Sequence, residues 1–431
     1  MGVAAGRRSS RRDPLIDLAY RLLLGSNALL AVPVVYLGGL TAVAVVSTSR
    51  GRQAGRRRPK CGERLRTRFA VVIPAHDEQD TIGRTLASLA NSSYPSGLFA
   101  VHVVADNCSD ATAEVAAGFG VLVHVRDDPS SRGKGPALNW LMDELRPSQD
   151  EFDAVIFIDA DTVVDSGFLA EMDRQLQSGA HVVQGRYEVA EAFESPATAI
   201  RWCALACRHH LRPLGRTALG GSCGLFGNGM AMTKAVALER RWTGHLVEDI
   251  EFQLDLLLHG VDVVYAPHAR VMAEMPNTLA ASVTQHQRWE RGRFEIVASH
   301  GPRLVRSLMR AQQPGPSRRL ATADALIDLA VPPLSILTAG VVASTGVGLA
   351  LTTFGAGRGS SRHALGGPIM LAVIGVHVAA GLKLMDAPRA AYRSLLHAPV
   401  LVAWKVSLLL RAVGTTDSEW IRTRRNTGGP S

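Results

Sequence analysis

Two kinds of apolar pattern divide this chain. From about residue 66 to 270, short apolar runs alternate with stretches whose apolar residues recur every three or four positions. The runs predict strands and the periodic stretches predict helices. The predicted strands are 69–73, 100–105, 121–125, 154–158, 181–187 and 261–265, and the helices between them include 80–90, 110–117, 136–145 and 167–177. This alternation indicates an α/β fold with a mainly parallel sheet.

Long uncharged runs lie on both sides of this region. Residues 22–49 and 329–357 contain no charged residue over 28 and 29 positions, and residues 364–382 add a run of 19. A helix needs about 20 apolar residues to cross the hydrocarbon core of a bilayer. The chain is therefore predicted to be a membrane protein with about three spans.

Basic residues set the expected orientation of the first span. The chain has 47 Lys and Arg against 38 Asp and Glu, a formal net charge of +9, and six of these cations lie between Arg50 and Lys60. Positive flanks remain on the cytoplasmic side, so residue 60 onward is expected there. Four Arg residues between positions 7 and 12 argue against an external N-terminus. We favour a single span, with a re-entrant hairpin broken near Pro33 as the alternative.

Two further segments have the pattern of helices that lie on a membrane surface. Arg303, Arg306 and Arg310 share one helical face, with Leu304 on the opposite one, as in basic amphipathic helices at an interface. The alternative is a helix packed on the soluble domain. Residues 389–411 mix apolar residues with charges and also fit an interfacial helix better than a span. The spans disfavour nucleic acid as the partner of this basic chain.

Acidic side chains follow three predicted strands. Asp159 and Asp161 come directly after the apolar run 154–158, and their spacing places both on one side of an extended chain. Oxygen ligands of this kind suit Mg²⁺ or Mn²⁺, although two solvated residues in a turn would look the same. Asp77 and Glu78 follow the first strand and Asp106 ends the second. Carboxyl ends of parallel strands form the ligand crevice of open α/β sheets, so we expect a nucleotide there.

Two other motifs carry groups suited to phosphate and sugar chemistry. Lys134 lies in a glycine-flanked loop before a helix, where its charge can neutralise phosphate. Glu248 and Asp249 open a helix whose dipole favours an ionised carboxylate, suited to a general base. The alternatives are a surface turn and an ordinary acidic first turn.

A helical face and a glycine-rich segment complete the set of motifs. Gln285, Arg288 and Trp289 share one helix face, which combines a phosphate clamp with a ring that can stack on a sugar. The segment 219–230, which includes Gly229, is either an acceptor-side wall or a structural loop.

Together these motifs resemble the inverting family 2 glycosyltransferases of bacterial membranes, which include cellulose, hyaluronan and poly-N-acetylglucosamine synthases. The resemblance covers roughly residues 68–295 and six motifs in the family's order. The matching motifs are residues 72–78, Asp106, the loop 132–135, residues 159–161, residues 248–249 and residues 285–289. The resemblance implies a GT-A nucleotide-sugar-binding fold with added transmembrane and interfacial helices.

The same resemblance implies a role for each motif. Asp77, Glu78 and Asp106 would hold uridine, and Lys134 and Arg288 would bind the diphosphate of the donor. Asp161, with Asp159, would bind the donor and Mg²⁺ or Mn²⁺. Asp249, with Glu248 beside it, would deprotonate the acceptor. The acceptor itself would contact Trp289, Gln285 and Gly229.

The expected reaction is transfer of a hexose or N-acetylhexosamine from a UDP-sugar to a growing polysaccharide. The short membrane region leaves two alternatives, a single transfer to a lipid-linked acceptor and a non-catalytic nucleotide-sugar-binding protein. Membrane lipids and an export partner are expected, in a multi-pass protein of the bacterial inner membrane whose catalytic domain is cytoplasmic. The expected divisions are an anchor and basic linker at 1–60, the GT-A domain at 61–300, an interfacial helix at 301–324 and a transmembrane region with a basic tail at 325–431.

Overall fold

The computed structural model describes residues 14–53, 64–245, 247–275, 278, 283–310, 316–353 and 365–412. The strands are β1 (Phe69–Ala75), β2 (Phe99–Asp106), β3 (Leu122–Arg126), β4 (Ala154–Phe157), β5 (Thr162–Val164), β6 (Val182–Val189), β7 (Met230–Thr233) and β8 (Val263–Ala273). The helices are α1 (Pro14–Gln53), α2 (Ile82–Ala90), α3 (Thr112–Ala117), α4 (Lys134–Leu145), α5 (Phe168–Gln177), α6 (Pro196–Leu205), α7 (Arg212–Ala218), α8 (Lys234–Glu239), α9 (Glu248–Leu258), α10 (Val283–Met309), α11 (Pro316–Ala330), α12 (Leu334–Thr353), α13 (Gly366–Leu384), α14 (Arg389–Ser394) and α15 (Ala398–Ala412). Short 3₁₀ turns lie at Ser96–Leu98, Arg146–Ser148 and Leu395–His397, and a π-helical turn at Ala206–Leu211 joins α6 to α7.

One mixed sheet organises the soluble part of the chain. Its strand order is β3-β2-β1-β4-β7-β6-β8-β5. β1 is parallel to β2 and β4, β2 to β3, and β6 to β8, whereas β7 is antiparallel to β4 and β6, and β5 is antiparallel to β8. The predicted α/β class with a mostly parallel sheet is confirmed. All six predicted strands are present, and the two that the pattern did not predict, β5 and β7, are three and four residues long.

The central strands are apolar on both faces because helices cover both sides of the sheet. Phe69, Val71 and Ile73 of β1 pack with α2 and α5 on one side. Ala70 and Val72 pack with α4 and α9 on the other. This alternation brings the end of β1 to the same edge as the ends of β2 and β4, where the polar motifs lie.

Within the part of the chain that the structure describes, three helices are long and apolar enough to cross a membrane. They contain the segments Leu18–Arg50, Leu334–Thr353 and Gly366–Leu384. α1 continues without a break through Pro33, which agrees with the single helix favoured by the sequence rather than the re-entrant hairpin. α1, α12 and α13 pack against one another through a shared apolar cluster that includes Leu37.

A buried ion network connects α7 to α11, and α1 joins it. Arg212 donates to Asp328, and Arg216 Nε lies 2.6 Å from Asp324 Oδ2. The hydroxyl of Tyr36 in α1 donates to Asp324 at 2.8 Å. Arg216 is only 4% exposed, so these charges compensate one another away from water. The network ties the soluble domain to the apolar helices.

The expected interfacial helix at 301–324 falls on two helices, the end of α10 and the start of α11. Leu304 is buried against α9, and Arg303 donates to Asp255 of α9 at 2.7 Å. Val305 and Met309 are exposed. Part of this face therefore packs on the soluble domain, and its contact with a membrane stays a prediction, as does the division of the chain into domains.

Candidate active site

A cavity of about 950 Å³ opens at the carboxyl ends of β1, β2 and β4 and continues between α12, α13 and α15. Parallel strands place these ends at one edge of the sheet, where ligands of open α/β folds bind. The volume lies within the usual range for small-molecule sites. Of the predicted site residues, the cavity is lined by Glu78, Asp106, Lys134, Asp159, Asp161, Glu248, Asp249 and Trp289.

Lys134 and Asp159 form an ion pair in this cavity. The ammonium group of Lys134 donates to Asp159 and to the carbonyl oxygen of Gly227, the latter at 2.5 Å. Burial acts to lower the pKa of Lys134, but the charges of Asp159 and Glu248 outweigh it and hold that pKa above its ordinary value. The side chains are 24% and 32% exposed, so this cation remains accessible from the cavity. Sequence analysis placed both residues at the donor, and the structure brings them into direct contact.

Asp159 and Asp161 also provide the oxygen atoms that the predicted metal requires. Both line the cavity, whereas the group of three ligand-bearing residues found in the described part of the chain lies elsewhere, so the remaining ligands of an ion here would come from the donor. Carboxylates completed by substrate phosphates are the usual ligands of Mg²⁺ and Mn²⁺. Lys134 binds Asp159, and Asp161 lies two residues further along the chain and lines the same cavity. The donor set therefore fits the predicted metal.

The residues predicted to hold the nucleoside are Asp77, Glu78 and Asp106. Asp106 is buried, and its carboxylate accepts from Arg126 and Asn107. Asp77 adopts a φ of 52° and accepts from the backbone N–H of Ser109 at 2.7 Å. These contacts hold the loops after β1 and β2 in fixed positions.

Glu78 and a group formed by Asp77, Cys108 and Asp110 belong to these loops. Glu78 accepts from the hydroxyl of Thr81 at 2.7 Å and lines the cavity. Asp77, Cys108 and Asp110 bring three ligand atoms within 4.8 Å of one another, a grouping that could hold a metal ion. Sequence analysis did not predict this second grouping.

Asp249 lies in the cavity at the start of α9. Its Oδ1 accepts from the backbone N–H of Ile250 at 2.9 Å, and its Oδ2 faces Gly227. Burial, followed by the charge of Glu248, raises the pKa of Asp249 to about 7. The sequence led us to expect that the helix dipole would keep this carboxylate ionised, but burial has the larger effect. A carboxylate with this pKa can exchange a proton near neutral pH.

The predicted acceptor residues fall at different places. Trp289 lines the cavity, whereas the side chains of Gln285 and Arg288 lie outside the described residues. Gly229 has a φ of 65°, and a Cβ added there would lie 2.6 Å from Cγ2 of Val271. This close packing explains the glycine at that position, and the cavity wall nearby is formed by the stretch 225–227.

The sequence did not indicate the part of the cavity built by α6 and the π-helical turn. His209 of that turn stacks on Phe226 with ring centroids 4.1 Å apart and on Tyr187 at 5.3 Å. Arg201 and Arg208, from α6 and the turn, also line the cavity. π-Helical turns are frequent at functional sites. The sequence feature that could have indicated this part of the cavity is the presence of Arg201 and Arg208 in an otherwise apolar stretch.

Comparison with known proteins identifies related sequences. A family model described as "Glycosyltransferase like family 2" matches residues 67–292. Beta-monoglucosyldiacylglycerol synthase of Trichormus variabilis is 28% identical over 251 residues, which are 56% of this chain and 52% of that protein. Poly-beta-1,6-N-acetyl-D-glucosamine synthase of Staphylococcus epidermidis is 24% identical over 239 residues, which are 53% of this chain and 55% of that protein. The chain spans about half the length of the curated relatives it matches.

A solved structure supports the fold. Mannosyltransferase PcManGT from Pyrobaculum calidifontis, determined in complex with GDP-Man and Mn²⁺, superposes with a TM-score of 0.50. The match covers 90% of this chain and 99% of that one at 14% identity. At this level of identity the similarity shows the fold alone. The GT-A fold predicted from the sequence is confirmed.

Proposed function

Because the chain belongs to glycosyltransferase family 2, we propose that it transfers a hexose or N-acetylhexosamine from a UDP-sugar to a hydroxyl group of a membrane-bound acceptor, with inversion at the anomeric carbon. One observation carries the proposal. Asp249, with a pKa of about 7, faces the same cavity as Lys134, Asp159 and Asp161. A base and a phosphate-binding group in one cavity are what direct displacement of a nucleoside diphosphate requires.

The residues divide into a leaving-group side and a nucleophile side. In the proposed reaction, Asp249 accepts the proton of the acceptor hydroxyl while the oxygen of that hydroxyl attacks the anomeric carbon. The bond from that carbon to the diphosphate breaks, and UDP leaves. Lys134 and Arg288 neutralise the departing phosphates, and Asp77, Glu78 and Asp106 position the uridine. When bound at Asp161 and Asp159, Mg²⁺ or Mn²⁺ supplies further charge neutralisation of the diphosphate.

The cavity favours a lipid acceptor over a polysaccharide. Beyond Asp249 it is walled by apolar residues of α12, α13 and α15, among them Leu334, Ile374 and Leu401. An apolar wall solvates an acyl or prenyl chain, whereas a sugar polymer needs hydrogen-bonding groups along its path. A growing polysaccharide, suggested by the motif around Trp289, is the second candidate acceptor. We place the protein in the bacterial inner membrane with the sugar-nucleotide site on the cytoplasmic side.

The proposal is tested with purified protein in nanodiscs. UDP release is measured with UDP-glucose, UDP-N-acetylglucosamine and UDP-galactose, each with Mg²⁺, with Mn²⁺ and with a chelator, alongside Asp249→Asn. We expect metal-dependent release that the substitution lowers at least 100-fold, as for loss of a general base. The size of the product separates the two acceptors, because a lipid carrying one sugar and a polymer ladder differ in mass. Intact UDP-sugar binding without release from any donor would contradict the enzymatic function.

A further inference from the structure

A group of cations lines the cavity. The cations at this position are Arg201, Arg208, Arg293 and Lys405, contributed by α6, the π-helical turn, α10 and α15. Three separate parts of the chain, the continuous stretch of α6 and the π-helical turn, α10 and α15, therefore contribute to this group. Sequence analysis assigned no function to any of these residues.

Lys405 and Arg293 have polar partners, whereas the side chain of Arg208 has fewer contacts. Lys405 donates to Glu290 at 3.3 Å, and Arg293 donates to the carbonyl oxygen of Leu329 at 3.0 Å. The side chain of Arg208 is exposed and lines the cavity, and within the described ranges it makes no side-chain hydrogen bond or ion pair, although the charges of Asp328, Asp249 and Glu290 act on it. A guanidinium group in this setting provides up to five donors for an anion.

The cations also act on one another. Burial lowers the pKa of Arg293 to about 10, and the charge of Arg208 adds to this effect. The pKa of Lys405 is likewise lowered by burial, which Glu290 partly opposes and Arg208 and Arg201 reinforce. Like charges held this close are stabilised by a bound anion, because the anion relieves both their repulsion and their desolvation.

The surroundings of the cluster restrict the kind of anion. The same cavity contains Asp249, the proposed base, whose charge acts on Arg208, and apolar residues such as Leu334, Ile374 and Leu401. A soluble phosphate would leave the apolar part of the cavity unfilled. A molecule with an apolar chain, a phosphate and a nearby hydroxyl would match all three regions.

We propose that the acceptor is a phospholipid-like amphiphile, whose phosphate binds Arg208 with Arg293 and Lys405 and whose head-group hydroxyl faces Asp249. This inference rests on the proposed function and specifies its acceptor. The hydroxyl oxygen forms a bond to the anomeric carbon, the bond from that carbon to UDP breaks, and the proton passes to Asp249. The lipid phosphate takes part in no covalent step, and its role is to position the hydroxyl.

The experiment measures equilibrium binding of a fluorescent short-chain phosphatidylglycerol to the full chain in neutral detergent. Unlabelled phosphatidylglycerol, diacylglycerol and inorganic phosphate serve as competitors. We expect phosphatidylglycerol to compete at least tenfold better than either of the others. Arg208→Gln should weaken binding about 10- to 100-fold, as for loss of a charge-assisted contact. Arg208→Lys should retain most of it.

Arg64→Gln is the matched control, because Arg64 is exposed and lies outside the cavity lining. It should bind lipid like the unmodified protein. Equal competition by diacylglycerol would overturn the requirement for phosphate, and equal competition by inorganic phosphate would overturn the lipid. Unchanged binding by Arg208→Gln would overturn the assignment of the site.

UDP-sugar binding and transfer in the same preparations separate this inference from the proposed function. If UDP-sugars do not bind, the proposed function fails, whatever the lipid result. If UDP-sugar is consumed but the sugar passes to diacylglycerol equally well with and without Arg208→Gln, the glycosyltransferase function stands and the phospholipid acceptor is wrong.

Discussion

At the scale of single residues, Asp249 has the most direct effect on the proposed reaction. Its position in the cavity explains why its pKa lies near 7, since burial and Glu248 both disfavour the ionised form. An ionised carboxylate is nevertheless the form that accepts a proton. The environment of this side chain therefore links activity to pH.

The first prediction concerns that link. Transfer should increase with pH through about 7 and then level off, with about a tenfold loss per pH unit on the acidic side, because only ionised Asp249 acts as a base. Initial rates of UDP formation at saturating donor measure this profile. Donor binding determined over the same range is the control. A rate independent of pH across this range, with binding constant, would rule out Asp249 as the base.

The ionised form of Asp249, which the proposed transfer requires, should also lower the stability of the fold. The folded-state pKa of about 7 exceeds the ordinary Asp value, so the folded state binds this proton more tightly than the unfolded chain does. Ionisation therefore destabilises the fold as pH rises from about 4 to about 7. Asp249→Asn should raise the free energy of unfolding by about 1–3 kcal/mol at about pH 8 while it abolishes transfer.

Thermal unfolding in detergent measures this change. The difference between Asp249→Asn and the unmodified protein should disappear at about pH 4, where both side chains are neutral. An unchanged or lower unfolding temperature for the variant at about pH 8 would show that the buried charge is compensated by groups other than those considered.

At the scale of elements, the contact between α1 and α7 depends on one small residue. A Cβ added to Gly215 would lie 2.6 Å from the carbonyl oxygen of Leu40, a backbone atom that cannot move cheaply. Gly25 of α1, by contrast, has no atom within 4 Å of its added Cβ. Gly215→Ala should lower the free energy of unfolding by about 1–3 kcal/mol, and Gly25→Ala should leave it unchanged or raise it.

Thermal unfolding of both variants in detergent provides the test. Because each substitution adds one methyl group to a helix, the pair differs only in what that group meets. Equal unfolding temperatures would mean that α1 and α7 accommodate the added methyl group without loss of stability and that their close packing is unimportant.

The elements predicted correctly from the sequence are those in which local pattern and burial agree. The apolar run of β1 is buried on both faces, and the position of Asp159 and Asp161 at the cavity follows directly from the strand before them. β7 was not predicted because it follows a glycine-rich segment and is only four residues long. The cluster at Arg208 was not predicted because Arg293 and Lys405 come from helices far from Arg201 and Arg208 in the sequence. Such convergence is a property of the tertiary fold.

At the scale of the whole molecule, the cavity has walls from both the sheet and the apolar helices. Its shape therefore depends on how firmly these two parts are held together. The buried network of Arg212, Arg216, Asp324 and Asp328 makes that connection. Arg212 and Arg216 hold the pKa of Asp328 below its ordinary value against the opposing effect of burial.

The last prediction follows from this network. Asp328→Asn removes the carboxylate that pairs with Arg212 and leaves Arg216 with Asp324 alone, which should cost about 3 kcal/mol of unfolding free energy at neutral pH. The matched control is Asp262→Asn, because Asp262 pairs with Arg318 at 3.0 Å but is 52% exposed, so its loss should cost under about 1 kcal/mol. Because the pKa of Asp328 is lowered in the folded protein, its ionised form stabilises the fold at pH values above the ordinary pKa of Asp. This stabilisation is lost as the pH falls through the folded-state pKa, so the effect of Asp328→Asn should shrink in acid. Thermal unfolding of both variants at neutral and acidic pH measures this, and equal effects at neutral pH would show that the network does not hold the two parts together.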